Sequence, residues 1–133
     1  MNEMVFADTS FFVAMIGERD QHHRNAVSFM RYYQGRLLTT DFVVLELGNY
    51  LRRVDDRPFF ASIKRSLEND KEFEVLEASR ELLDRDIELY LNRQDKTWSL
   101  TDCVSFVVMD ERGIKEALTS DAHFQQAGYT MLL

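Results

Sequence analysis

Three short apolar runs in this sequence each lead directly into an aspartate. They read VFAD, ending at Asp8, LLTTD, ending at Asp41, and ALTSD, ending at Asp121. Apolar runs of this length, separated by longer segments with helical periodicity, predict strands that alternate with helices. This alternation is typical of a mostly parallel central sheet that is covered by helices on both faces. The predicted fold class is therefore α/β, with a three-layer α/β/α sandwich as its architecture.

The predicted elements fill most of the chain. Strands are expected at residues 4–7, 37–39, 73–76, 117–119 and 129–132. Helices are expected at 11–34, with an interruption near Asp20, and at 41–54, 58–69, 79–91 and 99–112, with a short one before Gly128. Pro58 suits the first turn of its helix, and Gly113 suits the end of another. No repeat or linker interrupts the pattern, so we expect a single domain over residues 1–133.

The charge of the chain limits the classes of function that fit it. The formal net charge of −7 argues against a surface that binds nucleic acid by charge attraction alone. A carboxylate cluster that holds a divalent cation can nevertheless present a positive centre inside an acidic protein. The charge therefore disfavours a passive nucleic-acid binder more than it disfavours a metal enzyme.

The sequence also carries information on compartment. No apolar stretch approaches the ~18–20 residues that cross a bilayer, and the N-terminal segment lacks the basic start of a secretory signal. The single cysteine, Cys103, permits no internal disulfide and is interpreted as a small buried apolar residue. We expect a cytoplasmic protein with no membrane partner.

Asp8 and Asp121 are the first candidate functional residues. In open parallel sheets, ligands bind outside the carboxyl ends of the strands, near a switch in strand order. Both acids follow predicted strands, so we expect them at the same edge of the sheet. Each has a structural alternative as the cap of the helix that follows it. For Asp41, capping is the preferred interpretation.

Glu46 is a candidate because of its position on a predicted helix. The apolar arc of that helix is assigned to Phe42, Val43, Leu47, Tyr50 and Val54, and Glu46 falls inside it. A charge on a core-facing stripe is costly unless it is paired, protonated or bound to a metal. The alternatives are an edge position open to solvent or an ion pair with Arg53. Asn49 lies close to the same line and could hydrogen-bond Glu46 or a neighbouring ligand.

Asp102 begins a helix that is apolar in nearly every direction and is therefore expected to be central and buried. Ser99 and Asp102 also have the spacing of a capping box, a role compatible with metal binding. Two carboxylates ~4 Å apart repel by roughly 4 kcal/mol at an effective dielectric near 20. A cluster of these acids therefore requires protons or a cation, and oxygen ligands favour Mg²⁺ or Mn²⁺ over zinc. Such a site suits phosphodiester hydrolysis.

Four segments resemble those of PIN domains, and specifically of VapC-type ribonuclease toxins from toxin–antitoxin pairs. They are FADTSFF, LTTDFVVLELGNYL, WSLTDCVSFVVMDERGIKEALTSDAHFQQAGY and the closing strand, in the order typical of the family. The resemblance implies Mg²⁺- or Mn²⁺-dependent cleavage of RNA by a homodimer that a small antitoxin inhibits. It also implies a catalytic and metal-binding set of acids, namely Asp8, Glu46, Asp102 and Asp121.

Within this resemblance, Asp8 and Asp102 are expected to hold the principal metal directly. Glu46 and Asp121 would hold a second ion, metal-bound waters or both. The supporting residues are Thr9, Ser10, Asn49 and Ser120, of which Ser10 matches the hydroxyl near the first acid of the family.

Three other functions remain as alternatives. A catalytically silent PIN scaffold could bind metal and a protein partner without turnover, although none of the four acids is missing. A phosphatase of the haloacid dehalogenase type needs an acid two residues after the first, where this chain has Ser10. A receiver domain needs an acidic pair before the strand-end aspartate, which is absent. The histidines His22, His23 and His123 lack metal-ligand spacing and are interpreted as surface residues.

Overall fold

Five parallel strands form a single sheet in the part of the chain that the computed structural model describes, residues 3–133. Residues 1 and 2, where the expected domain begins, lie outside the described residues. The strands are β1 (Met4–Ala7), β2 (Arg36–Thr40), β3 (Phe73–Leu76), β4 (Glu116–Leu118) and β5 (Thr130–Met131). Their order is β3-β2-β1-β4-β5, and every neighbouring pair is parallel.

Helices flank this sheet, which confirms the predicted α/β sandwich. They are α1 (Thr9–Ile16), α2 (His23–Tyr32), α3 (Asp41–Tyr50), α4 (Arg57–Asn69), α5 (Arg80–Asn92), α6 (Leu100–Arg112) and α7 (Ala122–Gln126). Local sequence signals set several of their ends. Pro58 lies in the first turn of α4, and the Ser79 hydroxyl caps α5 by accepting a hydrogen bond from the Leu82 N–H.

Helix α6 is the central helix of the core, as its composition predicts. Cys103, Val104, Phe106, Val108 and Met109 are all buried along it. The Phe106 ring makes edge-on contacts with Trp98 and Phe124, each at 4.9 Å between ring centroids. Aromatic pairs of this kind add ~0.5–1.5 kcal/mol beyond the burial of their area. α6 ends at Gly113, whose φ of 67° is left-handed and therefore favours glycine.

The prediction for α3 is wrong at its C-terminal end. The helix stops at Tyr50 instead of continuing to Val54, which begins a short 3₁₀ turn before α4. Arg53 has an extended backbone, which redirects the chain before Pro58 enters the next helix. The apolar arc assigned to α3 is consequently too wide, because Tyr50 and Val54 are 60% and 75% exposed. The buried residues of α3 are Val43 and Leu47, one turn apart.

The remaining differences concern where elements begin and end. The helical region predicted at 11–34 is two helices, α1 and α2, and α1 begins at Thr9, directly after Asp8. Strand β4 ends at Leu118, so Thr119 lies beyond the strand that was predicted to contain it. No helix within residues 3–133 is long and apolar enough to cross a bilayer.

The strand order reverses direction at β1. From this central strand the chain builds outward through β2 and β3, and then places β4 and β5 on the opposite side. The carboxyl ends of β1 and β4 are adjacent, and the Asp8 N–H donates to the Leu118 carbonyl at 3.1 Å. Such a switch point opens the crevice in which α/β sheets bind ligands. We call this region, around the ends of β1 and β4, the switch-point edge.

Candidate functional site

Asp8 begins the site at the end of β1. It is only 5% exposed, and its Oδ2 accepts hydrogen bonds from the Thr119 hydroxyl at 2.9 Å and the Ser10 hydroxyl at 3.1 Å. Asp8 does occupy the N-cap position of α1, but its side chain makes no capping hydrogen bond. The capping alternative therefore does not describe what this carboxylate does.

Burial controls the ionisation of Asp8. The pKa of its carboxyl group is raised to about 6, chiefly by loss of solvent and to a smaller extent by the nearby charge of Glu46. Hydrogen bonds from Thr119, the Thr9 backbone and Ser10 act in the opposite direction and favour the charged form. Asp8 is thus a buried carboxylate beside a second acid, an arrangement that a cation would stabilise.

Glu46 reaches the same edge from α3. The Thr9 hydroxyl donates a hydrogen bond to Glu46 Oε1, which brings this acid next to the residue that follows Asp8. Glu46 is half-buried, and within residues 3–133 it forms no ion pair with Arg53. Asn49, predicted as a supporting residue, is exposed, and the structure does not bring it into the site. Its backbone carbonyl accepts from Arg52 instead.

Thr119 links the acids at the ends of β1 and β4. Its hydroxyl donates to Asp8, and the same oxygen accepts from the Asp121 N–H at 3.0 Å. Ser10 extends the link, since its oxygen lies 3.3 Å from the Thr119 hydroxyl and accepts from the Ser120 N–H at 3.1 Å. Ser120 therefore takes part through its backbone. Thr119 was not among the residues predicted from sequence, although its position one residue beyond an apolar run was an available signal.

Asp102 and Asp121 meet through a histidine. His123 Nδ1 lies 2.9 Å from Asp102 Oδ2 and 3.4 Å from Asp121 Oδ1. Asp102 Oδ2 also accepts from the Ser99 N–H, which completes the predicted capping box. Asp121 Oδ1 accepts from the His123 N–H at 2.9 Å, so Asp121 also caps α7. Both acids combine a capping role with a place in the cluster.

The interpretation of the histidines as surface residues is wrong, since His22, His23 and His123 are all half-buried. His123 is half-buried and contacts two of the candidate acids. The available signal was the Asp121-x-His123 spacing, because a backbone N–H two residues after a cap commonly bonds that cap and brings the two side chains together. His23 is also half-buried, with Nδ1 2.7 Å from the Ala14 carbonyl oxygen.

The donor chemistry of the site fits a divalent cation. Asp102, Asp121 and His123 each offer one ligand atom, and these atoms lie within 4.8 Å of one another. Asp102 and Asp121 each direct one carboxylate oxygen to protein donors. Within residues 3–133, Asp102 Oδ1 and Asp121 Oδ2 accept no hydrogen bond from the protein. Carboxylate oxygens are the ligands that Mg²⁺ and Mn²⁺ prefer.

The site extends as a hydrogen-bonded chain around the switch-point edge. It runs from Glu46 through Thr9 to the neighbouring Asp8, and from Asp8 through Thr119 to Asp121. His123 then joins Asp121 to Asp102. The structure thus links the four predicted acids, from four separate parts of the chain, through intervening residues. Of the four, it places the ligand atoms of Asp102 and Asp121 close to one another, together with that of His123.

The profile of the PIN domain family matches residues 5–128. This match covers nearly the whole chain. The chain belongs to the PIN domain family. Two sequences similar to this PIN domain, from two strains of Mycobacterium tuberculosis, are each named 23S rRNA-specific endonuclease VapC20. Each is 28% identical over 127 residues, with 95% of both chains covered.

Solved structures share the fold of this PIN domain. The crystal structure of Mycobacterium tuberculosis VapC20, described as a sarcin-ricin loop cleaving toxin, matches with a TM-score of 0.83 and 25% identity. The match covers 95% of this chain and 96% of VapC20. FitAcB from Neisseria gonorrhoeae gives a TM-score of 0.67 at 14% identity, covering 98% and 97% of the two chains. VapBC2 from Rickettsia felis gives 0.66 at 13%, with the same coverage.

Proposed function

We propose that this PIN domain is a Mg²⁺- or Mn²⁺-dependent endoribonuclease that hydrolyses RNA phosphodiester bonds and acts as the toxin of a toxin–antitoxin pair. The observation that carries the proposal is the convergence of Asp8, Glu46, Asp102 and Asp121 on the switch-point edge. Asp8 is buried beside the charge of Glu46, and Asp102 and Asp121 lie on either side of His123. Carboxylates paired in this way are costly in a folded protein unless their charge is offset. The similarity to VapC20, named as an endonuclease of 23S rRNA, supports RNA as the substrate.

The metal would be held by the free oxygens of Asp102 and Asp121, together with Asp8 and Glu46. When bound, a divalent cation neutralises phosphate charge and lowers the pKa of an attacking water. The protein's own contribution is to hold these carboxylates in place through the Thr9, Ser10, Thr119 and His123 donors. Hydrogen bonds of this kind, from neighbouring residues to metal ligands, fix the orientation of the ligands.

The acids differ in exposure, which separates their roles. Asp8 and Asp102 are buried, at 5% and 8% exposure, whereas Glu46 and Asp121 are half-buried. A group that takes a proton from water must be reached by that water. Glu46 and Asp121 are therefore the acids placed to accept the proton of the attacking water, and Asp8 and Asp102 are placed to hold charge.

Substitution of the buried acids tests the proposal. We expect Asp8→Asn and Asp102→Asn to reduce RNA cleavage in Mg²⁺ or Mn²⁺ by at least ~100-fold, because each removes one negative ligand while keeping the side-chain shape. EDTA should abolish cleavage by the unmodified chain. The measurement is cleavage of end-labelled RNA by the purified protein, beginning with hairpins of 23S rRNA because VapC20 is named for that substrate.

Asp41→Asn is the matched control. Asp41 also follows a strand, but it is exposed and its Oδ2 accepts from the Ala78 N–H, away from the other acids. Its loss should leave cleavage unchanged. Full activity in both Asp8→Asn and Asp102→Asn would contradict the proposal, as would cleavage that persists in EDTA.

A catalytically silent PIN scaffold is the second candidate. It would bind the cation and the partner protein without cleaving RNA, and the same assay separates the two functions. None of the four acids expected of an active nuclease is replaced in this chain, which favours the enzyme over the scaffold.

The proposal extends to partners and location. A toxin implies a small antitoxin protein, and co-expression with the antitoxin should relieve growth arrest caused by this chain. The homodimer expected from sequence stays a prediction, which light scattering of the purified chain measures. A nuclease of this type acts where RNA is used, so we infer a cytoplasmic location.

A further inference from the structure

The His123 side chain lies beside the carboxylates of two candidate acids at once. Its Nδ1 lies between Asp102 Oδ2, at 2.9 Å, and Asp121 Oδ1, at 3.4 Å. Both neighbours are carboxylate oxygens, which accept hydrogen bonds and cannot donate them when ionised. An imidazole with its hydrogen on Nδ1 therefore donates to Asp102 Oδ2. Asp121 Oδ1 lies beside the same nitrogen and accepts from the His123 backbone N–H.

This contact fixes which oxygen of each acid remains available. Asp102 Oδ2 receives hydrogen bonds from His123 Nδ1 and from the Ser99 N–H, and Asp121 Oδ1 receives one from the His123 N–H. Asp102 Oδ1 and Asp121 Oδ2 accept nothing from the described residues 3–133. The two free oxygens belong to separate elements, α6 and the segment after β4, and within the described chain His123 is the side chain that bridges these two acids.

We infer that His123 is a positioning residue for the metal site. Its Nδ1 holds Asp102 Oδ2 beside Asp121 Oδ1, which the His123 backbone N–H fixes, and the free oxygens of both acids are thereby directed toward a shared divalent cation. This inference rests on the proposed metal-dependent function and adds a role for a residue outside the four acids. It differs from direct ligation by His123, in which Nε2 would bind the ion. The two roles use opposite sides of the same ring.

Metal affinity in the absence of RNA tests this role without depending on catalysis. The Mn²⁺ dissociation constant is measured by electron paramagnetic resonance on the purified chain. We expect His123→Ala to weaken Mn²⁺ binding by about 10- to 100-fold, the usual effect of removing a residue that orients metal ligands. Binding that is unchanged or tighter in this variant overturns the inference.

Two isosteric variants separate positioning from ligation. In His123→Asn the amide nitrogen stands where Nδ1 stands, two bonds beyond Cβ, whereas in His123→Gln it stands one bond further out, near the place of Nε2. We expect His123→Asn to recover most of the Mn²⁺ affinity and His123→Gln to remain weak. The reverse order, or equal affinity in the two variants, overturns positioning through Nδ1. This comparison also decides the question if His123→Ala fails to fold.

His23→Ala is the matched control, because His23 is also half-buried and its Nδ1 contacts a backbone carbonyl rather than an acid. Its Mn²⁺ affinity should equal that of the unmodified chain, and a parallel loss would overturn the inference. Failure of the unmodified chain to bind Mn²⁺ would contradict the proposed function itself. A chain that binds Mn²⁺ and cleaves RNA, with normal affinity in His123→Ala, would remove the role of His123 alone.

Discussion

The carboxylate of Asp8 opposes folding in the absence of metal. It is nearly fully buried and its pKa is raised to about 6, chiefly by loss of solvent. Between pH 4 and pH 6 the folded state therefore binds more protons than the unfolded state, in which an aspartate titrates near 3.9. The contribution of Asp8 to stability falls as the pH rises through this window and stays low above it.

Removal of this charge should stabilise the metal-free protein. We expect Asp8→Asn in EDTA at pH 7.5 to raise the free energy of unfolding by about 1–3 kcal/mol, given ~1.4 kcal/mol for each unit of pKa shift. Urea unfolding followed by circular dichroism gives the value. At pH 4 most of the difference should disappear, because the carboxyl of the unmodified chain is then protonated when folded. A variant that is less stable at every pH would show that the Asp8 hydrogen bonds outweigh its burial.

The sequence predicts the acids more readily than the groups that hold them. Asp8 and Asp121 could be assigned to one edge because the polarity of parallel strands fixes where their ends lie. Thr119 and His123 have local signals of their position, but the acids they contact could not be assigned, since Thr119 bonds an acid 111 positions earlier and His123 one 21 positions earlier. Such contacts depend on tertiary packing and on rotamers, which no local pattern encodes.

At the scale of elements, the packing of α5 against α6 contains a buried acid that the proposed chemistry does not use. Asp86 on α5 is 1% exposed, and its Oδ1 has no hydrogen-bond partner within residues 3–133. Burial raises its pKa to about 7. The thiol of Cys103 on α6 has its pKa raised to about 11, first by its own burial and then by the charge of Asp86. Cys103 is therefore an unreactive thiol, as interpreted from sequence.

Asp86 predicts a pH dependence of stability. Because the pKa of Asp86 is raised in the folded state, the contribution of this residue to stability is fully present below pH 4. It is lost as the pH rises toward 7. We expect the free energy of unfolding of Asp86→Asn, relative to that of the unmodified chain, to increase by about 2 kcal/mol from pH 5 to pH 8. The measurement is the free energy of unfolding in urea across this range, with EDTA present to exclude metal effects.

Asp84→Asn on the same helix provides the control. Asp84 is exposed and forms an ion pair with Arg80 at 3.9 Å, so its loss should change stability by less than ~0.5 kcal/mol at either pH. If the difference in free energy of unfolding between Asp86→Asn and the unmodified chain stays constant from pH 5 to pH 8, burial between α5 and α6 does not raise the pKa of Asp86.

Helix ends illustrate what local patterns do and do not determine. The Ser99–Asp102 capping box and Gly113 mark both ends of α6 correctly, because caps are set by residues close in sequence. The end of α3 was misplaced because no cap signal follows Tyr50, and the apolar spacing continues to Val54. There the entry of the chain into α4 overrides the periodicity.

At the scale of the whole molecule, the candidate site joins parts of the chain that are far apart in sequence. Its acids come from the end of β1, from α3, from the start of α6 and from the segment after β4. The parallel order of the sheet is what brings these parts together, since the ends of β1 and β4 adjoin only because β1 is central. A ligand shared by the acids would therefore connect most of the fold.

Metal binding should accordingly stabilise the entire chain. A ligand that binds only the folded state adds ~2.7 kcal/mol at a concentration 100 times its dissociation constant. We expect Mn²⁺ at 100 times its dissociation constant to raise the melting temperature by roughly 10 °C, because the unfolding entropy is ~2.1 cal/mol/K per residue. Differential scanning calorimetry with increasing Mn²⁺ measures the effect.

Two variants, Asp41→Asn and Asp102→Asn, test whether the Mn²⁺ shift depends on the candidate site. Asp41→Asn should retain the full Mn²⁺ shift, because Asp41 bonds the Ala78 N–H outside the cluster. Asp102→Asn should lose most of it, although Asn preserves the shape of the side chain. If both variants shifted equally, Mn²⁺ would be acting on the general negative charge of the chain, −7, and not on the switch-point edge. If the Mn²⁺ shift is instead lost in Asp102→Asn and retained in Asp41→Asn, the cation binds where β1, β4 and α6 converge.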